Sequence, residues 1–189
     1  MMTNTNAPST ASFVAKRMIV LTGIMGSGKS TIGRRLATRL NLPFTDSDQA
    51  IEEAAGMTIP QIFERFGEAE FRNGERRVIT RLLEGPVGVL ATGGGAFVDP
   101  STRALIKDKA VSIWLRADLD VLFERTSRRD GRPLLQVENP RERLASLLEK
   151  REPYYAEADI TVESGVGPVE ETVTRALAAL ISQQQVPDA

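Results

Sequence analysis

The sequence contains no cysteine and no histidine among its 189 residues. Without cysteine, disulfides and thiolate metal sites are excluded. Without histidine, acid–base chemistry falls to carboxylates, lysine or phosphate itself. No stretch approaches the ~18 consecutive apolar residues of a membrane-spanning helix. A surplus of positive charge is missing as well: 24 basic residues face 25 acidic ones, for a formal net charge of −1. A dedicated nucleic-acid binder needs such a surplus to neutralise phosphates, so neither nucleic acid nor a membrane is an expected partner. The first sixteen residues, MMTNTNAPSTASFVAK, lack the apolar centre of a secretory signal. Their small, polar composition is that of a disordered tail, and cytoplasm is the expected compartment.

What is present is an ordinary globular composition, 41% hydrophobic and 26% charged, at a length that suits one domain. The expected domain spans residues 17–182, with 183–189 as a short C-terminal tail. RMIVLTG, LPFTD, VGVLAT, AVSIWL and ADITVE are apolar runs of strand type. Between them lie helical patterns: Ile32, Leu36 and Leu40 recur every four residues, with Arg34, Arg35 and Arg39 off the stripe. QAIEEAA, IPQIFERF and EAEFRNGERRVITRLLE continue in the same period, and Val169, Val173, Leu177, Leu180 and Ile181 share the stripe of a closing helix. Alternation of this kind predicts an α/β fold, a three-layer parallel sheet of about five strands with helices on both faces. Right-handed crossovers bring the C-terminal ends of all the strands to one edge, where ligands bind. The segment SRRDGRPLLQVENP, residues 127–140, fits no period and reads as a flexible loop between two helices.

Three strand ends carry chemistry. Gly23-x4-Gly28-Lys29-Ser30 matches the P-loop pattern after a strand and before a helix. Glycine backbone can approach phosphates closely, successive amides make an anion nest at a helix N-terminus, Lys29 reaches the β- and γ-phosphates, and Ser30 offers a hydroxyl to Mg²⁺. At the second strand end, Asp46 and Asp48 can both face the cleft, one behind the water shell of Mg²⁺ and one toward an acceptor hydroxyl. Alternatively, Asp48 caps a helix starting at Gln49. At the third, Gly93-Gly94-Gly95 suggests backbone brought close to something small. Arg72, with Glu75 one turn on, is either a surface ion pair or an anion-binding group. Arg132, in GRPLL, could swing over the phosphates. Arg151, near a helix end, complements the helix dipole even without a ligand.

With GSGKSTIGRRLA, DSD, IFERFGEAEFRNGE, ATGGGA, GRPLL and REPYY in this order, the chain resembles the shikimate kinase family from Met18 to Leu180. The resemblance implies a P-loop NTPase fold of the nucleoside-monophosphate-kinase type. It also implies ATP and Mg²⁺ as cofactors, shikimate as the small-molecule partner, and a monomer. Carried over position by position, it makes Asp48 the base toward the attacking hydroxyl and pairs Arg72 and Arg151 with the shikimate carboxylate. Gly94 and Gly95 offer backbone to the acceptor, and Glu75 orients Arg72. Gly26, Ser27, Gly28, Lys29, Ser30 and Thr31 form the phosphate cradle, with Lys29 and Arg132 drawing off charge during transfer. Arg125 lies against adenine, and Ser30 and Asp46 serve the metal. The family's basic residue in the adenine loop has no counterpart in SGVGP, where backbone and Pro168 would take its place.

Overall fold

A computed structural model describes residues 14–127 and 138–184; the loop bearing Arg132 lies outside the described residues. The elements in chain order are β1 (Met18–Thr22), α1 (Lys29–Leu40), β2 (Phe44–Asp46), α2 (Ser47–Ala55), α3 (Ile59–Leu83) and β3 (Val89–Ala91). They continue with α4 (Pro100–Lys109), β4 (Ala110–Arg116), α5 (Leu119–Ser127), α6 (Pro140–Tyr155), β5 (Ile160–Glu163) and α7 (Val169–Gln184). The five strands form one parallel sheet in the order β2-β3-β1-β4-β5. The α/β class read from the sequence is the class observed.

Successive strand residues point to opposite faces, and each face meets its own helices. Val20, Leu90 and Trp114 pack with Ile79 of α3, Ile106 of α4, Leu122 of α5, and Leu144 and Tyr155 of α6. Ile19, Leu21, Ile113 and Leu115 pack with Ile32 and Leu36 of α1 and with Val173 and Leu177 of α7. Leu21, Leu36, Ile79 and Leu90 are all fully buried, each contributing about 2 kcal/mol of hydrophobic stabilisation. A third cluster, Ile51, Ile62, Phe71 and Val78, ties α2 to α3. No helix among the described residues is long and apolar enough to cross a membrane.

Three details depart from the sequence reading, and one agrees with it. α4 was not among the predicted helices; its N-cap is Asp99, whose side chain accepts the Thr102 N–H at 2.8 Å. The two patterns on either side of Gly67 (φ 78°, ψ 176°) are two helices that meet at a kink there, both within α3, as the sequence divides them. Helix α2 starts at Ser47 rather than Gln49, and its cap is Asp46, not Asp48. Finally, α7 runs to Gln184, two residues beyond the expected span.

Candidate active site

The strand ends open onto a single cleft of about 1000 Å³. On one side lies the turn from β1 into α1. Gly28 is the N-cap of α1 with φ 94°, a left-handed conformation that a side chain would strain. It is followed directly by Lys29, whose Nζ donates to the carbonyls of Gly23 (2.8 Å) and Ile24 (3.0 Å). The ammonium is thus folded back across the mouth of an amide nest of the kind that holds anions.

Next to it, the Ser30 hydroxyl donates to Asp46 Oδ2 at 2.7 Å, while Asp46 Oδ1 accepts the Asp48 N–H at 3.1 Å. One carboxylate therefore caps α2 and faces the P-loop hydroxyl. The described residues contain no cluster of three or more metal-ligating side chains. One hydroxyl with one carboxylate behind it suits Mg²⁺, which keeps several waters and binds chiefly through phosphate oxygens rather than an all-protein cage.

Asp48 lies in the first turn of α2 and lines the cleft. Burial, and then the nearby charge of Asp46, push its carboxyl above the ordinary aspartate range, with Lys29 and Arg72 pulling the other way. Across from it, Arg72 Nη1 donates to Glu75 Oε2 at 2.6 Å. Glu75 is 1% exposed, and burial raises its pKa against the opposing pull of Arg72. The Arg72 guanidinium also rests over the Phe71 ring, 5.1 Å from its centroid. Held by a buried carboxylate and an aromatic face, Arg72 is far better fixed than a surface ion pair.

The glycine run after β3 joins these groups. A methyl carbon placed on Gly93 would stand 2.5 Å from Asp48 Oδ1, and one on Gly95 would stand 2.5 Å from Arg72 Nη2. One on Gly94 would lie 3.5 Å from both Arg151 Nη1 and the Gly23 carbonyl oxygen. The three residues thus touch Asp48, Arg151 and Arg72 in turn, and Gly94 also abuts the start of the phosphate loop. Any side chain at Gly93 or Gly95 would displace a cleft group.

At the far end, Arg125 Nη1 donates to the Ser164 carbonyl (3.2 Å) and hydroxyl (3.0 Å), and Nη2 to the Gly165 carbonyl (2.6 Å). The Ser164 hydroxyl in turn donates to the Ser27 carbonyl at 2.9 Å. Ser164 was not singled out from the sequence; only its proximity to the P-loop in space reveals it. Ile59, Pro60 and Phe63 were likewise unmarked and supply an apolar wall beside Phe71.

Of the residues expected at the site, Gly26, Gly28, Lys29, Ser30, Thr31, Asp46, Asp48, Arg72, Gly94, Gly95, Arg125 and Arg151 all line this cleft. Ser27 does not: its side chain is fully buried and its N–H is donated to the Ile24 carbonyl at 3.2 Å. Arg132 lies outside the described residues.

The family model for shikimate kinase matches residues 25–181. This chain belongs to the shikimate kinase family. It is 59% identical over 166 residues to the shikimate kinase of Paramagnetospirillum magneticum, covering 88% of this chain and 85% of that one. To the shikimate kinase of Bradyrhizobium diazoefficiens it is 56% identical over 177 residues, or 92% and 86% of the two chains. Among solved structures of the family, shikimate kinase from Acinetobacter baumannii in complex with shikimate is similar at a TM-score of 0.87 and 39% identity, covering 94% of this chain and 100% of that one.

Proposed function

We propose that this shikimate kinase family member transfers the γ-phosphoryl group of ATP to the 3-hydroxyl of shikimate, releasing ADP and shikimate 3-phosphate. One observation carries the reading. Asp48, Arg72, Arg151 and the glycine backbone between them share a small cleft with Lys29 of the phosphate loop. A carboxylate-bearing polyol needs that set: planar guanidinium forks for its carboxylate, and an acceptor carboxylate and backbone groups for its hydroxyls.

In this reading, Arg72 and Arg151 hold the carboxylate, and the wall of Ile59, Pro60, Phe63 and Phe71 packs against the ring. Asp48 takes the proton of the attacking hydroxyl as its oxygen bonds to the γ-phosphorus and the bond to the β–γ bridging oxygen breaks, leaving the electron pair on ADP. Burial raises the basicity of Asp48 and suits it to this task. Alignment and charge neutralisation supply most of the rate in phosphoryl transfer. Lys29 contributes by turning its ammonium from the Gly23 and Ile24 carbonyls onto the β- and γ-phosphates. Arg132, outside the described residues, is assigned the role of a second cation on the phosphates. Ser30 and Asp46 would hold Mg²⁺, which when bound neutralises phosphate oxygens. Arg125, braced on the Ser164–Gly165 backbone, flanks the adenine. Apart from Arg132, the groups placed here come together within one chain, which supports a monomer as the working unit.

The test is ADP release in the presence of Mg²⁺ over a panel of acceptors. Turnover with shikimate, and none with gluconate or AMP, is expected. Turnover of gluconate or AMP without shikimate would overturn the reading.

A further inference from the structure

Tyr155 has no part in the mechanism above and does not line the cleft, yet its hydroxyl is aimed at it. The side chain is fully buried in the core among Trp114, Leu144 and Leu147, with the Trp114 ring 6.1 Å away, centroid to centroid. A buried phenol in an apolar setting is costly unless its hydroxyl is paired. Here Tyr155 Oη donates to the Gly94 carbonyl at 2.5 Å. Tyr155 also follows Arg151 by four residues on α6, so both side chains leave the same helix face. They converge on the same glycine, for Arg151 Nη1 borders Gly94 where a methyl carbon would be 3.5 Å from it. The phenol has one proton, which goes to the carbonyl, so toward Arg151 its oxygen can only accept. Burial raises the pKa of the phenol, so it stays a donor as pH rises.

The consequence for the cleft follows from peptide geometry. In a trans peptide the C=O and the next N–H point in opposite directions. Turning the Gly94 carbonyl into the core, onto Tyr155, turns the Gly95 N–H away from it, toward the cleft that Gly95 lines. Among the described residues no protein group accepts from that N–H.

We propose that Tyr155 is a positioning residue for the acceptor: its hydroxyl locks the Gly94–Gly95 peptide and the Arg151 guanidinium together, so that a backbone donor and a carboxylate-binding fork are set before the acceptor arrives. The proposal rests on shikimate as the acceptor.

Tyr155→Phe removes the hydroxyl and keeps the ring in the core. The shikimate KM should rise about tenfold, as expected for lost hydrogen bonds that include one to a charged group, while the ATP KM moves less than about twofold. Isothermal titration with shikimate should show the same loss in affinity. A double-mutant cycle with Arg151→Met tests the link, since coupled residues are not additive. In the Arg151→Met background the further loss on Tyr155→Phe should fall to about threefold or less. A merely structural tyrosine would lower the melting temperature and leave the shikimate KM unmoved, which overturns the proposal. A full tenfold loss repeated in the Arg151→Met background overturns the link to Arg151. If the unsubstituted chain turns over shikimate and Tyr155→Phe leaves its KM unchanged, the role of Tyr155 alone fails. If the unsubstituted chain does not turn over shikimate, the acceptor reading and the role fall together.

Discussion

Gly95→Ala is the sharpest perturbation the cleft offers, because it changes one methyl group and strains no backbone. Gly95 is not among the described glycines with positive φ, which are Gly23, Gly26, Gly28, Gly56 and Gly67. Alanine can therefore adopt its conformation. The added carbon would stand 2.5, 2.7 and 2.8 Å from Arg72 Nη2, Nη1 and Cζ. Restoring an ordinary contact of 3.4 Å requires the guanidinium to retreat by about 0.9 Å. Arg72 is the far end of a flexible side chain, so folding should suffer little. Its hydrogen bonds to the acceptor carboxylate, by contrast, do not survive such a shift. A lost hydrogen bond to a charged group costs about 1.5–3 kcal/mol, which corresponds to roughly 10- to 150-fold in affinity. Steady-state kinetics with ADP release coupled to NADH oxidation should show the shikimate KM raised within that range. The ATP KM should stay unchanged, and the melting temperature should lie within about 3 °C of the parent. Arg72→Ala sets the upper limit of the effect. An unchanged shikimate KM in Gly95→Ala, or a loss that falls on ATP, would refute the placement of Arg72 against the acceptor.

Other outcomes follow from the same geometry. Asp48→Asn should lower kcat by about 10²-fold or more, as for removal of a general base, with nucleotide affinity preserved in a binding titration. The pH profile of kcat/KM should fall on the acid side as Asp48 protonates, and burial together with Asp46 places that limb above the ordinary aspartate range. Glu52 also raises the Asp48 pKa, so Glu52→Gln should move the acid limb to lower pH, and a limb that stays put or moves up would contradict the assignment of Asp48 as base. Gly74, inside α3 between Arg72 and Glu75, has no atom within 4 Å of where a methyl would go. Gly74→Ala should therefore stabilise the protein by about 0.5–1 kcal/mol in urea unfolding, with both KM values unchanged.

The strands were legible because each central strand is buried on both faces and so reads as a continuous apolar run: all five residues of β1 are buried. Helix α4 was not, since only Thr102 and Ile106 are buried along its ten residues, too short a stripe to show a period. Its Asp99-Pro100 start is a legible signal, the usual cap followed by proline at the first helical position. Both carboxylates at the end of β2 line the cleft, but the sequence spacing could not say which of the two caps α2. Asp46 does so because its Oδ1 reaches the Asp48 N–H while Oδ2 takes the Ser30 hydroxyl.

The triple glycine suggested close approach of backbone to something, yet which group each residue meets depends on how α2, α3 and α6 pack around β3. Tyr155 and Ser164 were invisible for a related reason. Each acts on a backbone carbonyl 61 or 137 residues away, and a carbonyl leaves no trace in residue identity. Arg72 was readable only through its motif, because an arginine three residues before a glutamate on a helix is ordinarily a solvated pair. Here Glu75 is buried, and that burial is a property of the assembled fold.

Everything proposed for this cleft requires one small acceptor held between Arg72, Arg151 and Asp48 with a hydroxyl facing the phosphate loop. A crystal structure of the protein with ADP, Mg²⁺ and shikimate tests it most directly. The shikimate carboxylate is expected between the Arg72 and Arg151 guanidinium groups, with a ring hydroxyl on Asp48, turned toward Lys29. Shikimate bound with its carboxylate away from both arginines, or with its hydroxyls facing away from Lys29, would contradict it.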